Sequence, residues 1–285
     1  MNVYEVVTAR IVAELEKGVA PWVKPWTSGG TALLPYNART RRQYNGVNVL
    51  LLWGSAFEKG YCHPAWLTFL QAKELGANVR KGEHAEHIVF SSSYTKKDAD
   101  EEDGDGKEVR FLKFHSVFNV EQIDGLPQDI SFALEPRRLD ESLNDAHTFV
   151  ASLGADVRHG GGRAAYVPST DCIMLPARER FESDAHYLAT SIHEHAHWSG
   201  HPSRLDRDLA GRFGDAQYAA EELIAELTAA YLCAHLAIPG ALRHPEYIGN
   251  WLRVLDDDKR AIFTAATKAT EAANYLRNLL APLAT

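Results

Sequence analysis

Four histidines fall within nine residues of the segment ATSIHEHAHWSGH, which spans residues 189–201. His193 and His197 are four residues apart, so in a helix they lie about 40° apart on one face and can bind one ion. Together with Glu194 they form the pattern HExxH, in which two neutral imidazoles hold zinc and the Glu takes a proton from the metal-bound water. His195 lies about 200° from His193 around the helix, so we expect it to be a surface or packing residue.

A third metal ligand has to come from elsewhere in the chain. The longer pattern HExxHxxGxxH needs a histidine where this chain has Ser203, and His201 comes two residues too early. The downstream segment AEELIAELTAA offers three carboxylates on a helix. We assign Glu222 to the metal and Glu226 to a ligand histidine, which it would orient through the other ring nitrogen. We expect Glu221 to be a solvated helix carboxylate.

The chemistry of this donor set also indicates which ion it binds. Two histidines and a glutamate suit zinc best, and they also accept manganese or cobalt. The segment TDCIMLP, residues 170–176, has the length and character of an edge strand before the histidine helix. In zinc peptidases with the HExxH pattern, such a strand pairs with an extended peptide substrate. The segment is equally consistent with an ordinary edge strand.

The two parts of the chain carry opposite net charges. Residues 1–97 contain twelve Lys and Arg against seven acidic residues, a net charge of +5, within a total of −8 for the whole chain. Opposite signs indicate that the two parts meet different partners.

The basic part interleaves cations with aromatic residues in the stretch KPWTSGGTALLPYNARTRRQYNGVNV. Cations spaced for phosphates, beside rings on which bases can stack, are typical of sequence-tolerant binding of single-stranded DNA. Aromatic residues are nevertheless more often part of a core, and neither a zinc finger nor a basic zipper is present. The candidate DNA-binding residues are Trp22, Lys24, Trp26, Arg39, Arg41, Arg42, Tyr44, Arg80 and Lys81.

The hydrophobic pattern predicts an α+β protein of two domains. Helical spacing occurs at residues 44–60 and 64–79, and strand-like segments flank the acidic stretch TKKDADEEDGDGKE, which we expect to be a mobile hairpin tip. The proline-containing segment 124–142 carries the predicted boundary, giving domains of 1–130 and 131–285. The second domain is expected to begin with a helix, a glycine-turned hairpin and the edge segment, and to be helical from about residue 183 onward.

Cellular location is inferred from the cysteines and the apolar segments. The three cysteines are odd in number and far apart, which indicates neither a disulfide framework nor a thiolate zinc site. The first 18 residues read as an amphipathic helix and not a signal peptide, and no stretch approaches the ~20 apolar residues that span a bilayer. We therefore expect a cytoplasmic protein with no membrane partner.

Several motifs follow one another in the order of a known family. PWVKPW, YNARTRRQYNGVNVLLLW, GYCHPAWLTFLQAKELGANVRKGE and FHSVFNVEQIDGLP are followed by HEHAHWSGH, RLDRD and FGDAQYAAEELIAELTAAYLCA. In these motifs the chain resembles ArdC-type antirestriction proteins, whose N-terminal part is similar to that of plasmid-encoded primases. The resemblance covers most of the chain. One departure is the second histidine of HEHAH, at a position where an apolar residue is commoner.

The resemblance implies an N-terminal domain that binds single-stranded DNA and a C-terminal zincin-like metallopeptidase domain, related to the SprT class that acts on DNA-bound proteins. Proteins of this family are carried by conjugative elements and protect incoming DNA from restriction. Carried over residue by residue, the resemblance implies His193, His197 and Glu222 as metal ligands and Glu194 as general base.

The expected function is therefore antirestriction by a protein that binds single-stranded DNA and cleaves a protein substrate, with proteins bound to that DNA as the candidate substrates. One alternative is a binding protein that covers the strand and keeps a metal only for stability. A second is a general metallopeptidase whose N-terminal part recognises peptide.

Overall fold

The structure is a computed structural model of the chain, and it describes residues 2–18, 20, 22, 33–96, 107–131, 138–207, 215–239 and 245–279. Within these ranges helices and strands are mixed in both halves of the chain, which confirms the predicted α+β class. No helix in the described ranges is long and apolar enough to cross a bilayer.

The N-terminal region is built around a four-stranded sheet with the strand order β1-β2-β5-β4. β1 and β2 are parallel, and the other neighbours are antiparallel. β3 and β6 form a separate antiparallel pair. The elements of this region are α1 (Val3–Leu15), β1 (Tyr36–Asn37), α2 (Val47–Lys59), β2 (Ala65–Leu67), α3 (Phe69–Glu74), β3 (Asn78–Val79), β4 (Glu86–Lys96), β5 (Lys107–Asn119), β6 (Ile123–Asp124) and α4 (Gln128–Ser131).

Local sequence signals explain most of these elements. α2 ends where predicted, because Gly60 adopts the left-handed conformation (φ 72°) that favours glycine at a helix C-terminus. The helix expected over residues 64–79 is confirmed only for Phe69–Glu74. Residues 65–67 form β2, Thr68 caps the helix, and residues 78–79 form β3. β4 pairs with β5 along the whole of its own length, as expected, and the acidic tip at residues 97–106 lies outside the described residues.

The C-terminal region consists of a small sheet and five helices among the described residues. Its three strands have the order β7-β9-β8, with β7 parallel and β8 antiparallel to β9. Its elements are α5 (Leu139–Ser152), β7 (Asp156–His159), β8 (Ala165–Val167), β9 (Cys172–Leu175), α6 (Asp184–Ser199), α7 (Ala216–Leu236), α8 (Pro245–Asp257) and α9 (Ala261–Asn278).

Two predictions about the small sheet are wrong. β7 and β8 do not form a hairpin with each other, because each pairs with β9 on a different side. The segment TDCIMLP, which contains β9, is therefore the central strand, and β8 is an edge strand. The signal for a central strand is its burial, since Cys172, Ile173 and Leu175 are almost completely inaccessible to solvent.

A single hydrophobic core connects the two regions. α7 packs against α6, α8 and α9, and small residues such as Ala229 on α7 and Ala269 on α9 allow the helices to approach closely. Val7 and Ile11 of α1 belong to this same core, and the Thr8 hydroxyl donates to the Lys259 carbonyl oxygen across the chain (2.7 Å). The predicted domain boundary falls next to residues 132–137, which lie outside the described residues.

Candidate metal centre and nucleic-acid surface

α6 brings two histidines together on its buried face. The Ser183 side chain caps the helix, and His193 and His197 follow one helical turn apart. Their Nε2 atoms are 3.2 Å from each other, and both side chains are largely buried. The two ring nitrogens therefore point at one common position.

α7 supplies a carboxylate to the same position. Glu222 Oε2 is 3.5 Å from His193 Nε2, and Glu222 Oε1 is 3.6 Å from His197 Nε2. One ligand atom from each of the three residues lies within 4.8 Å of the others. Two imidazole nitrogens and one carboxylate oxygen converging in this way fit a divalent ion of the zinc or manganese type.

Each histidine also faces a second carboxylate through its other nitrogen. Glu226 Oε2 is 3.5 Å from His193 Nδ1, at the position predicted from its spacing. Glu221 Oε1 is 3.2 Å from His197 Nδ1, so the expectation that Glu221 is a solvated carboxylate is wrong. Carboxylates in such positions fix the tautomer and the orientation of metal-binding imidazoles.

Glu221 is itself held by a buried arginine. Arg207 donates to both carboxylate oxygens, with Nη2 to Oε1 at 2.8 Å and Nε to Oε2 at 3.1 Å. The same guanidinium donates to the Ala196 carbonyl oxygen and the Ser199 hydroxyl on α6. The two helices that carry the ligands are therefore joined by a charged network behind His197.

The pKa values of the three converging side chains are shifted by the hydrogen bonds between them and their neighbouring carboxylates. Burial lowers the pKa of His197, but hydrogen bonds to Glu221 and Glu222 outweigh it and raise this pKa to about 9. The pKa of His193 is raised well above its ordinary value by Glu222 and Glu226, again against burial. Burial raises the pKa of Glu222, but the two histidines lower it overall. Protons therefore compete with a metal ion for these ligands, so that metal affinity falls in acid.

Glu194 lies beside the ligands and is held by the small sheet. Its side chain is buried, and Oε2 accepts a hydrogen bond from the Tyr166 backbone N–H in β8 at 2.7 Å. β8 is fixed in turn by the Tyr166 hydroxyl, which donates to Asp171 (2.8 Å), and by Arg204, which pairs with Asp171. The carboxylate that the sequence predicts to be a general base is therefore tied to β8 by a hydrogen bond.

His195 is a packing residue, as expected from its position on the opposite side of α6. It is completely buried, and its Nδ1 is 2.7 Å from the Ser191 carbonyl oxygen one turn earlier. Burial lowers its pKa to about 4, so the ring is neutral at physiological pH. It does not belong to the group of converging ligands found among the described residues.

One of the predicted DNA-binding residues is part of the core. Trp22 is only 1% exposed and its ring packs against Trp251, with centroids 5.5 Å apart. It cannot stack on a base in this conformation, so its assignment to DNA binding is wrong. Lys24 and Trp26 lie outside the described residues. Tyr44 is half-buried and packs on a cluster formed by residues of α2, β2, β4 and β5.

The five remaining cations are exposed, but several are already paired. Arg39 pairs with Glu74, and Arg41 donates to the Asp129 carbonyl oxygen. Arg80 pairs with Glu83 at 2.9 Å and Asp124 at 3.4 Å. Within the described ranges, Arg42 and Lys81 form no ion pair. These two cations can therefore contact an anionic partner without breaking an ion pair among the described residues.

The structure also exposes aromatic residues that sequence reasoning missed. Phe90 on β4 and Phe114 on β5 are 56% and 38% exposed, and Phe69 on α3 is 49% exposed. His115 packs edge to face against Phe90, and Lys73 lies over the Phe69 ring. No signal in the sequence distinguished these rings from core residues, because each lies within two residues of another apolar residue in the chain.

Comparisons with known proteins agree with this arrangement. Residues 144–268 match the model of a zincin-like metallopeptidase family, and residues 1–118 match that of the N-terminal domain of the anti-restriction factor ArdC. Among curated proteins, the chain is 40% identical over 284 residues to the uncharacterized protein y4eC of Sinorhizobium fredii, covering 96% of this chain and 91% of that one. It is also 40% identical over 294 residues to the DNA primase TraC of Escherichia coli, spanning 96% of this chain but only 27% of the primase.

Two solved structures of the antirestriction protein ArdC from plasmid R388 are similar over nearly the whole chain. The metal-free structure is 42% identical, covers 98% of each chain and has a TM-score of 0.83. The Mn(II)-bound structure is 41% identical, covers 99% of this chain and 100% of the other, and has a TM-score of 0.80.

The fold and the site together define a protein with a distinct N-terminal domain followed in sequence by a zincin-like metallopeptidase domain. More specifically, the chain belongs to the ArdC family of antirestriction proteins. The Mn(II)-bound relative supports a divalent metal at the three converging ligands.

Proposed function

We propose that this protein is a metal-dependent peptidase that binds single-stranded DNA and cleaves proteins associated with that DNA. One observation carries the catalytic part: the Glu194 carboxylate is buried beside the three converging ligands and is oriented by the Tyr166 N–H. A structural metal site needs no such carboxylate, whereas hydrolysis needs a base at this place.

Each residue then has a separate role. His193, His197 and Glu222 would hold the ion, which, when bound, supplies a Lewis acid for the peptide carbonyl and lowers the pKa of water. Glu194 would take the proton from the attacking water and return it to the leaving amine. Glu221 and Glu226 keep the two imidazoles oriented through Nδ1.

The position of β8 supports binding of an extended peptide. β8 is an edge strand, and the Tyr166 N–H points towards Glu194 and not towards β9. Because the Tyr166 N–H is already donated to Glu194, an extended substrate along this edge would pair with other main-chain groups of β8 and place its backbone beside Glu194. Main-chain hydrogen bonds of this kind accept many side chains. The substrate-binding strand is therefore β8, in place of the segment that contains β9.

The DNA-binding part rests on the exposed cations and on the family. Arg42 and Lys81 carry charges without an ion pair in the described ranges, and exposed rings lie on the same N-terminal region. Such a surface suits a phosphate backbone with unstacked bases. Binding of the strand would bring the peptidase site to proteins on the same DNA, which links the two activities in one chain.

The test compares wild-type protein with Glu194→Gln, which keeps all three metal ligands. The substrates are a histone alone and the same histone bound to single-stranded DNA, and new N-termini are identified by mass spectrometry. We expect wild-type protein to cleave the DNA-bound histone faster than free histone, and the variant to bind DNA and metal without cleavage. If both proteins protect transferred DNA from restriction equally and neither cleaves, the protein acts by covering the strand.

A further inference from the structure

A cavity of about 140 Å³ lies between the N-terminal region and the helices α7 and α9. One wall is the loop that joins β1 to α2, which contributes Gln43, Tyr44 and Asn45. The facing wall comes from the last part of α7 and from α9. A cavity of about this size has room for one six-membered ring. It is separate from the metal centre, because none of the three converging ligands lines it.

Hydrogen bonds between the two regions fix the walls of this cavity. The Gly46 N–H donates to the Thr270 hydroxyl on α9 (2.9 Å), and the Gly46 carbonyl oxygen accepts from the Tyr231 hydroxyl on α7 (3.1 Å). Gly46 has a φ of 55°, which favours glycine at this place. The loop is therefore tied to both helices just before α2 begins, and the cavity is formed without a ligand.

The lining of the cavity combines amide side chains with one permanent charge. The amides of Gln43, Asn45 and Asn274 can each donate and accept hydrogen bonds, so they can pair with the edge of any base. Among the described lining residues, Arg277 carries the only permanent charge and no residue is a carboxylate. The long hydrogen bond from Arg277 Nη1 to Gln43 Oε1 (3.4 Å) leaves this charge unneutralised. An anion beside the cavity is therefore attracted to Arg277.

The cavity is continuous along the chain with an exposed cation. Arg42, which forms no ion pair within the described ranges, directly precedes Gln43 in the same loop. Rings that take a base, placed between cations that take phosphates, are the arrangement by which proteins hold single strands. Here the half-buried Tyr44 ring lies between Arg42 in sequence and the cavity lining.

We propose that this cavity is a nucleotide subsite for single-stranded DNA, which takes one base against Tyr44 and the three amides and an adjacent phosphate on Arg277. The subsite rests on the proposed DNA binding and extends it, because α7 and α9 of the C-terminal region then contact the strand as well. A strand bound there bridges the two regions and contacts the helix that carries Glu222.

The experiment measures binding of a fluorescent oligothymidine strand by anisotropy at several salt concentrations. Arg277→Gln should reduce the slope of log affinity against log salt by about 0.7, the value for one phosphate of a single strand. Asn274→Asp adds a negative charge to the cavity and should weaken affinity at least about 5-fold, because like charges a few ångströms apart repel by this amount even in water.

Lys268→Gln is the matched control for Arg277→Gln. It removes the same charge from α9, but Lys268 lies on the opposite face of the helix from the lining residues, so both readouts should stay unchanged. Thymidine monophosphate is the comparison ligand and should bind far more weakly than the strand. Equal affinity for the two would assign the cavity to free nucleotides and overturn the subsite.

A second measurement needs no variant. A strand carrying photoreactive 5-iodouracil is cross-linked to wild-type protein, and mass spectrometry locates the attachment, which we expect within residues 43–45 or 270–277. If wild-type protein binds no strand, the DNA-binding part of the proposed function and the subsite both fail. If it binds the strand, variants that behave like Lys268→Gln, or cross-links confined to other segments, overturn the subsite alone. If the variants do not fold, the cross-link positions decide.

Discussion

Replacing Arg207 by methionine should destabilise the protein strongly, because the change removes the guanidinium that pairs with a buried carboxylate. The side chains of Arg207 and Glu221 are only 5% and 10% exposed. Methionine fills much of the same space but donates none of the hydrogen bonds that reach Glu221, Ala196 and Ser199. Breaking a buried ion pair by removing one partner typically costs about 3–5 kcal/mol.

At about 2–4 °C per kcal/mol, the midpoint of thermal unfolding should fall by roughly 6–20 °C. The measurement is calorimetry of both proteins in the presence of a chelator, so that metal binding does not contribute. Arg204→Met is the matched control, since Arg204 is similarly buried but its partner Asp171 is 40% exposed and can be hydrated. We expect that control to lose only about 1–2 kcal/mol.

Equal stability of the two variants would refute this stabilising role of Arg207. Glu221 would then be hydrated or protonated after the loss of its arginine, and the network behind His197 would contribute little to the fold. A loss confined to metal affinity, with unchanged unfolding, would likewise show that the arginine orients His197 without stabilising the chain.

Two further predictions concern the N-terminal region. Burial raises the pKa of Glu86, but the Arg10 guanidinium outweighs burial and lowers this pKa, so the pair stabilises the fold above the ordinary carboxyl pKa and loses this effect as the pH falls through the lowered value. Chemical denaturation should show that Arg10→Met is about 1–2 kcal/mol less stable than wild-type protein at pH 7, and that this difference shrinks below about pH 4. A difference that does not change with pH would contradict the ion pair's role. Arg42→Gln and Lys81→Gln should each reduce the salt dependence of single-stranded DNA affinity, measured by fluorescence anisotropy, by about one phosphate contact. Arg80→Gln should reduce it less, because Arg80 is already paired with Glu83 and Asp124. If the plot of affinity against salt concentration had the same slope for all three variants, this surface would be excluded as the DNA-binding site.

The parts of the site that the sequence predicted are those set by local helix geometry. A spacing of four residues fixes the relative directions of His193 and His197 whatever surrounds the helix. The same rule indicated that Glu222 and Glu226 share a face. The role of Glu221 was not predictable in this way, because it depends on Arg207, which is distant in sequence and is brought close only by the fold.

Long-range packing also explains the other errors. The burial of Trp22 depends on Trp251, which comes from the opposite end of the chain. The order of the small sheet depends on which strands pair, and this is not encoded in the pattern of a single strand.

The central claim is that one ion binds between α6 and α7 while Glu194 takes no part in holding it. The direct measurement is the manganese and zinc content, per chain, of wild-type protein, Glu194→Gln and Glu222→Gln after equilibrium dialysis against each metal. We predict about one ion per chain in wild-type protein and in Glu194→Gln, and a large loss in Glu222→Gln. Undiminished metal in Glu222→Gln, or none in wild-type protein, would contradict the account.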